Sequence, residues 1–304
     1  MNSVFSSEQM KAEALRLGFS ACGIAEARPV DEATATAYRR WIASGGHADM
    51  HYLENNIDKR LDPTLLLPGA RSIIVVAMNY TPASRLPEGE YQIADYALGQ
   101  DYHDVMRSRL RRLSEDGKIC VDTVPILERY WAWQAGLGFI GRNRQLIIPG
   151  AGSMFFLGEI VTTLAADHYD QPMPERCGTC HRCLDACPTG ALQEFDAGRC
   201  LSYQTIENRG EIDEDVKDKL GTTIYGCDRC QQVCPWNRFA RPTDIAELQP
   251  RPELLAMTRR DWQQLTEDDY RRLFRGSAVK RAKYAGLMRN IEAVTEKQTQ
   301  RGQE

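Results

Sequence analysis

Eight of the ten cysteines in this 304-residue chain lie between Cys177 and Cys234. Thiolates are soft ligands, so several of them a few residues apart point to a transition metal or a cluster rather than to a disulfide framework. Cys177, Cys180, Cys183 and Cys187, followed by Pro188, spell C-x2-C-x2-C-x3-C-P, the run in which the fourth thiolate serves a neighbouring cluster. Cys227, Cys230 and Cys234 before Pro235 repeat most of it, and Cys200 supplies the missing thiolate. Eight ligands make two [4Fe-4S] clusters, Cys177, Cys180, Cys183 and Cys234 on one, Cys187, Cys200, Cys227 and Cys230 on the other. The competing chemistry is a pair of four-cysteine zinc sites, since C-x2-C pairs also suit tetrahedral zinc; the C-x3-C-P continuation favours iron. A C-x3-C-x2-C cluster motif is not formed. Cys22 (FSACGI) and Cys120 (KICVDT) sit in apolar contexts and read as small buried hydrophobes.

Clusters relay electrons one at a time, so the chain is either a carrier or holds an acceptor elsewhere, and its length favours an acceptor. Neither G-x-G-x-x-G nor G-x-x-x-x-G-K-[ST] is present to hold a nucleotide. Asp101-Tyr-His103 begins like the D-x-H-x-x-G cobalamin fingerprint, but Met106 stands at the glycine position. His103 therefore reads as a structural residue near a helix N-terminus. Asp122, among Val121, Val124, Pro125 and Ile126, reads either as a helix cap or as an acid whose burial raises its pKa.

The elements that position these residues fall into two textures. Ser6 with Gln9 opens a first helix that Gly18 ends, and a second follows Asp31 and stops at Gly45-Gly46. Runs at 72–81, 119–124, 145–149 and 155–165 read as strands, with helices over 101–115 and 125–137 between them. This predicts an α/β (α+β) domain around a mixed sheet over 1–168. From 169 to 240 the Pro-, Cys- and Gly-rich texture predicts a ferredoxin-like two-cluster domain, with metal in place of a large core. Residues 241–304 read as a helical segment ending in the polar EKQTQRGQE, which is expected to fray.

Arg271, Arg272, Arg275, Lys280, Arg281, Lys283 and Arg289 occur with no acidic residue between them. Such a run suits either a solvated helix face or phosphate contacts to a folded RNA. Net charge over the whole chain is -4, so any nucleic-acid contact has to be local. No apolar run approaches the ~20 residues that cross a bilayer, and the N-terminus has helix signals instead of a leader's apolar core. A cytoplasmic enzyme with no membrane partner is expected.

Taken together, DYH at Asp101–His103, VDTVPILER at Val121–Arg129, AGLGFIGRN at Ala135–Asn143, the cysteine run, YGCDRCQQVCPWN at Tyr225–Asn237 and RNI at Arg289 make the chain resemble the epoxyqueuosine reductases over nearly its whole length. The resemblance implies a cobalamin bound with no protein histidine on cobalt, two [4Fe-4S] clusters, and reduction of epoxyqueuosine to queuosine at the tRNA wobble position. It implies Asp122 as proton donor and Arg60, Tyr96, Asp122, Asn143 and Ser202 as cobalamin contacts. It also favours the RNA reading of the basic run. A low-potential donor such as flavodoxin or ferredoxin is the expected electron source, and a monomer the expected state. Two rivals are a dehalogenase-like cobalamin and iron-sulfur reductase of a small molecule, and a pure ferredoxin-type carrier; affinity for tRNA and for cobalamin separates them.

Overall fold

A computed structural model describes residues 4–301. The described chain divides into two compact units that interleave in sequence, one of residues 4–79, 103–181 and 234–241, the other of residues 80–102, 182–233 and 242–301. These lines differ from boundaries at 168 and 240, because residues 80–102 group with the cysteine-bearing segment and the C-terminal helices.

The first unit is built on a four-stranded sheet in the order Ala21–Glu26, Ser72–Asn79, Phe155–Thr162, Lys118–Cys120. Every neighbouring pair is antiparallel. The parallel pairings of this chain stand apart from that sheet, as the short pairs Val4–Phe5 with Ala165–Ala166 and Gln92–Ile93 with Thr223–Tyr225. A mixture within one sheet is thus replaced by separate sheets. The strand Ser72–Asn79 is buried at every residue but its last, as a β-branched run covered on both faces should be.

Helices α1 (Ser7–Arg16), α2 (Glu32–Ala43), α3 (Ile57–Leu61), α4 (Tyr102–Leu113) and α5 (Glu128–Gln134) belong to the same part of the chain. Ser6 accepts the Gln9 N–H at 3.4 Å and Asp31 accepts the Thr34 N–H at 2.8 Å, so both helices begin at the predicted caps. One sheet face, with Ile73, Val75, Ala77, Cys120, Leu157 and Val161, packs in a core with Tyr130, Trp131 and Ala135 of the α5 region. The approach is close: a Cβ on Gly23 would lie 2.0 Å from the Ala135 carbonyl oxygen. Two expectations change here. The extended run at 119–124 ends at Cys120, where the chain bends, and the strand Ala21–Glu26 was not foreseen.

The second unit encloses Trp262, Phe274, Tyr225 and Tyr91 in one core, all fully buried. The helix Lys283–Arg301 runs along it, and the buried Asn290 amide donates to the Thr205 and Ile224 carbonyls at 2.8 Å each. Thr258 with Asp261, and Thr266 with Asp269, form complete capping boxes on the two preceding helices. The helix carries on through most of the segment expected to fray, whose last residues, 302–304, lie outside the described residues.

Candidate active site

The strand that ends at Cys120 delivers Asp122 into a bend with φ +56°, the left-handed region that non-glycine residues enter at a cost. Neighbouring helices hold it there. The Asp122 N–H donates to Glu128 Oε1 of α5 at 2.5 Å, and Arg107 of α4 donates to the Thr123 hydroxyl at 2.8 Å. Asp122 Oδ2 lies 3.2 Å from His103 Nε2, in the first turn of α4. This corrects two expectations. The Asp122 side chain is 58% exposed and not the buried acid expected, and His103 is more than a helix-start residue because its ring meets the carboxylate. The groups that burial does perturb stand behind Asp122. Glu128 is pushed up to about 7, first by loss of water and then by the Asp122 charge. Glu159, in the strand Phe155–Thr162, is fully buried and held well above the ordinary range, first by loss of water and then by the charges of Glu128 and Asp122.

The residues expected to touch cobalamin divide between the units: Arg60 and Asn143 fall in the first, Tyr96 and Ser202 in the second. Arg60 of α3 is buried with its guanidinium 6.0 Å from the Tyr38 ring centre, and its Nε has no partner. Asn143 is buried, its Oδ1 accepting the Gln145 N–H at 3.2 Å while its Nδ2 is unpartnered. Buried donors without acceptors are costly, and an amide-fringed ligand such as a corrin would offer acceptors to them. Tyr96 donates to the Tyr225 hydroxyl at 3.2 Å, and Ser202 sits partly buried in the helix Leu201–Ile206.

No disulfide joins any of the ten cysteines, and the eight of the run are partly buried. Arg142 donates to the Gly178 and Cys180 carbonyls at 2.6 and 3.1 Å, pinning the loop that carries Cys177 and Cys180. Within the second unit Cys200, Cys227 and Cys230 are crowded together. Burial and then the neighbouring thiols push Cys230 up to about 12, and Cys227 rises to about 11 chiefly through burial. Thiols that oppose one another's ionisation suit a bound cation or cluster that takes the charge. Cys120 is buried and Cys22 is pushed up to about 12 by burial, as inert core thiols are.

The basic run is exposed at Arg271, Arg272, Arg275, Lys280, Arg281 and Lys283. Arg271 pairs with Glu267 at 2.7 Å, Arg281 with Glu207 at 2.7 Å, and Arg272 with Glu253 and Asp269. The run free of acids in sequence is therefore partly neutralised by carboxylates from elsewhere. Arg289 is a structural residue, donating to the carbonyls of Gln204, Asn208 and Gly210.

Comparison with known proteins adds the following. A sequence profile described as "4Fe-4S double cluster binding domain" matches residues 176–237, and one described as "Epoxyqueuosine reductase QueG, DUF1730" matches residues 60–123. An epoxyqueuosine reductase of Cellulophaga algicola is 42% identical over 298 residues, spanning 94% of this chain and 97% of its own. One from a Synechocystis species is 43% identical over 284 residues, spanning 86% and 95%. The structure of epoxyqueuosine reductase from Streptococcus thermophilus superposes with a TM-score of 0.85 at 30% identity, covering 97% of this chain and 82% of that one. An epoxyqueuosine reductase solved with an epoxyqueuosine-modified tRNA-Tyr stem loop also gives 0.85, at 29% identity, covering 94% and 80%.

Proposed function

The chain belongs to the epoxyqueuosine reductase family, and we propose that it reduces epoxyqueuosine at the wobble position of tRNA to queuosine, the last step of queuosine synthesis. The observation that carries this is the likeness over almost the full length of both chains, 42% identity across 94% of this one, with the double-cluster cysteine run intact at residues 176–237.

Removing an epoxide oxygen as water consumes two electrons and two protons. The two [4Fe-4S] clusters on Cys177, Cys180, Cys183, Cys234 and on Cys187, Cys200, Cys227, Cys230 provide the electron path. Cobalamin is the group proposed to act between them and the epoxide; when bound, it supplies a metal centre able to take low-potential electrons and pass them to carbon. Arg60, Tyr96, Asn143 and Ser202 would hold it, with no histidine of this chain on cobalt. The buried, unpartnered Arg60 Nε and Asn143 Nδ2 support that assignment. Asp122 is the proposed proton donor. It stands exposed to a substrate, fixed through its own N–H by Glu128 and through its carboxylate by His103, 3.2 Å away. His103 can hold the proton-bearing oxygen in one orientation and stabilise the carboxylate left after transfer.

The exposed cations of the basic run, Arg271, Arg272, Arg275, Lys280, Arg281 and Lys283, are proposed to meet tRNA phosphates. The same reading gives a cytoplasmic, monomeric enzyme fed by a low-potential donor such as flavodoxin or ferredoxin. Asp122→Asn keeps the side chain's size and removes its proton. It is expected to lower turnover by roughly 100-fold or more, with the cluster and cobalamin absorption spectra unchanged. Turnover at the parent rate rejects the acid role.

A further inference from the structure

Each reduction consumes two protons, and the proposed donor Asp122 can pass on only one at a time. A source for the second lies in the strand Phe155–Thr162. Cross-strand register places Glu159 opposite Val75 on one side and opposite Cys120 on the other, two residues before Asp122. Because side chains alternate along a strand, Glu159 shares its face with Leu157 and Val161, which pack in the core that contains Trp131 of α5. It is 0% exposed, and neither carboxyl oxygen has a hydrogen-bond partner. Burial of a carboxyl with no hydrogen-bond donor from the protein favours its neutral acid form. Glu128 stands one helical turn before Trp131 and already accepts the Asp122 N–H through Oε1 at 2.5 Å, leaving Oε2 to carry a proton. The Trp131 indole N–H in the same core is also buried and unpartnered.

We propose that Glu159 and Glu128 form an internal proton store behind Asp122, which delivers through Glu128 the second proton the reduction consumes. Resting on the reading of Asp122 as donor, the sequence balances. Asp122 gives its proton to the departing oxygen, Glu128 reprotonates Asp122, and Glu159 refills Glu128, each transfer following a side-chain rotation that closes a hydrogen bond not made at rest. Asp122 then gives the second proton, water leaves, and solvent returns two protons through the exposed Asp122 carboxyl. The charged and titratable groups around the path are Asp122, His103 and Arg129 near Glu128, and Cys120, Glu128 and Asp122 near Glu159. The raised affinity of both glutamates for a proton agrees with storage at neutral pH.

The test uses the cluster-loaded protein and Glu159→Gln, which keeps the shape but has no proton to give. Infrared spectra at pH 7.5 in H2O and D2O should show a protonated-carboxyl C=O band in the parent that is missing from E159Q; this readout needs no turnover. With cobalamin, reductant and epoxyqueuosine tRNA, E159Q should turn over about tenfold more slowly at unchanged KM, and its rate should fall off about one pH unit earlier on the alkaline side. If E159Q does not fold, Glu128→Gln takes the same measurements with the same expectations for turnover and pH profile. Superimposable infrared spectra, or parent turnover with the parent pH profile, overturns the store. Asp122→Asn separates the two proposals: it should keep the Glu159 band while losing turnover, and an active D122N that keeps the band refutes the donor reading alone.

Discussion

At Asp122, an exposed acid stands in front of two carboxyls drawn out of water. Its own carboxyl faces solvent, while Glu128 and Glu159 are taken progressively out of water. Glu128 titrates near 4.5 in an unfolded chain and near 7 in the folded one. The folded protein therefore binds more protons between those values, so the stability this group contributes is present below about 4.5 and is lost as pH rises through about 7. The guanidinium midpoint of the cluster-loaded protein should accordingly fall between pH 6 and pH 7.5, and Glu128→Gln should flatten that fall; an equal slope in both proteins would show that Glu128 titrates normally. Asp122 stands out in the sequence as an acid among apolar residues in VDTVPILER, and its proposed donor role comes from the family resemblance. Glu159 was not legible, although a signal existed: it is the one charged residue in the strand FFLGEIVT, where buried strands carry none without a reason.

The elements explain why these carboxyls meet. α5 lies on the sheet closely enough that Gly23 has no room for a side chain, with the Ala135 carbonyl oxygen 2.0 Å from where its Cβ would stand. Gly23→Ala should cost ~1–3 kcal/mol by overpacking, read as a lowered urea midpoint, and would displace the C-terminal end of α5, the end opposite Glu128. A midpoint equal to the parent's would mean that the strand and helix yield freely. The strand holding Gly23 escaped the sequence reading because ACGIAE is made largely of residues depleted in strands, and pairing with the β-branched strand Ser72–Asn79 overrides that weakness. The run at 119–124 reads as one strand by composition, but Asp122 takes a left-handed conformation two residues after pairing stops. Helices with clear caps, at Ser6 and Asp31, were legible to within a residue or two because their start signals are local. The grouping of residues 80–102 with the second unit depends on contacts far apart in sequence, such as Gln92 with Thr223, which no local pattern encodes.

For the whole molecule, chemistry is divided among parts of the chain that the sequence interleaves. The two-cluster cysteine run is legible from its C-x2-C spacing, and the double-cluster profile over residues 176–237 agrees with it. The basic run is less so, because three of its arginines pair with Glu207, Glu253, Glu267 and Asp269, and Arg289 ties down backbone carbonyls. Net charge on the surface proposed to meet tRNA is thus smaller than the sequence count suggests. The family relationship and the site geometry meet in one reaction. Its most direct test is to incubate the anaerobically reconstituted protein, with cobalamin and a low-potential reductant, with tRNA bearing epoxyqueuosine, and to weigh the released nucleoside. The nucleoside should lose the mass of one oxygen atom and become queuosine, in the parent protein and not in Asp122→Asn. A nucleoside that keeps its oxygen, in protein whose iron content and cluster spectra are intact, would contradict the account.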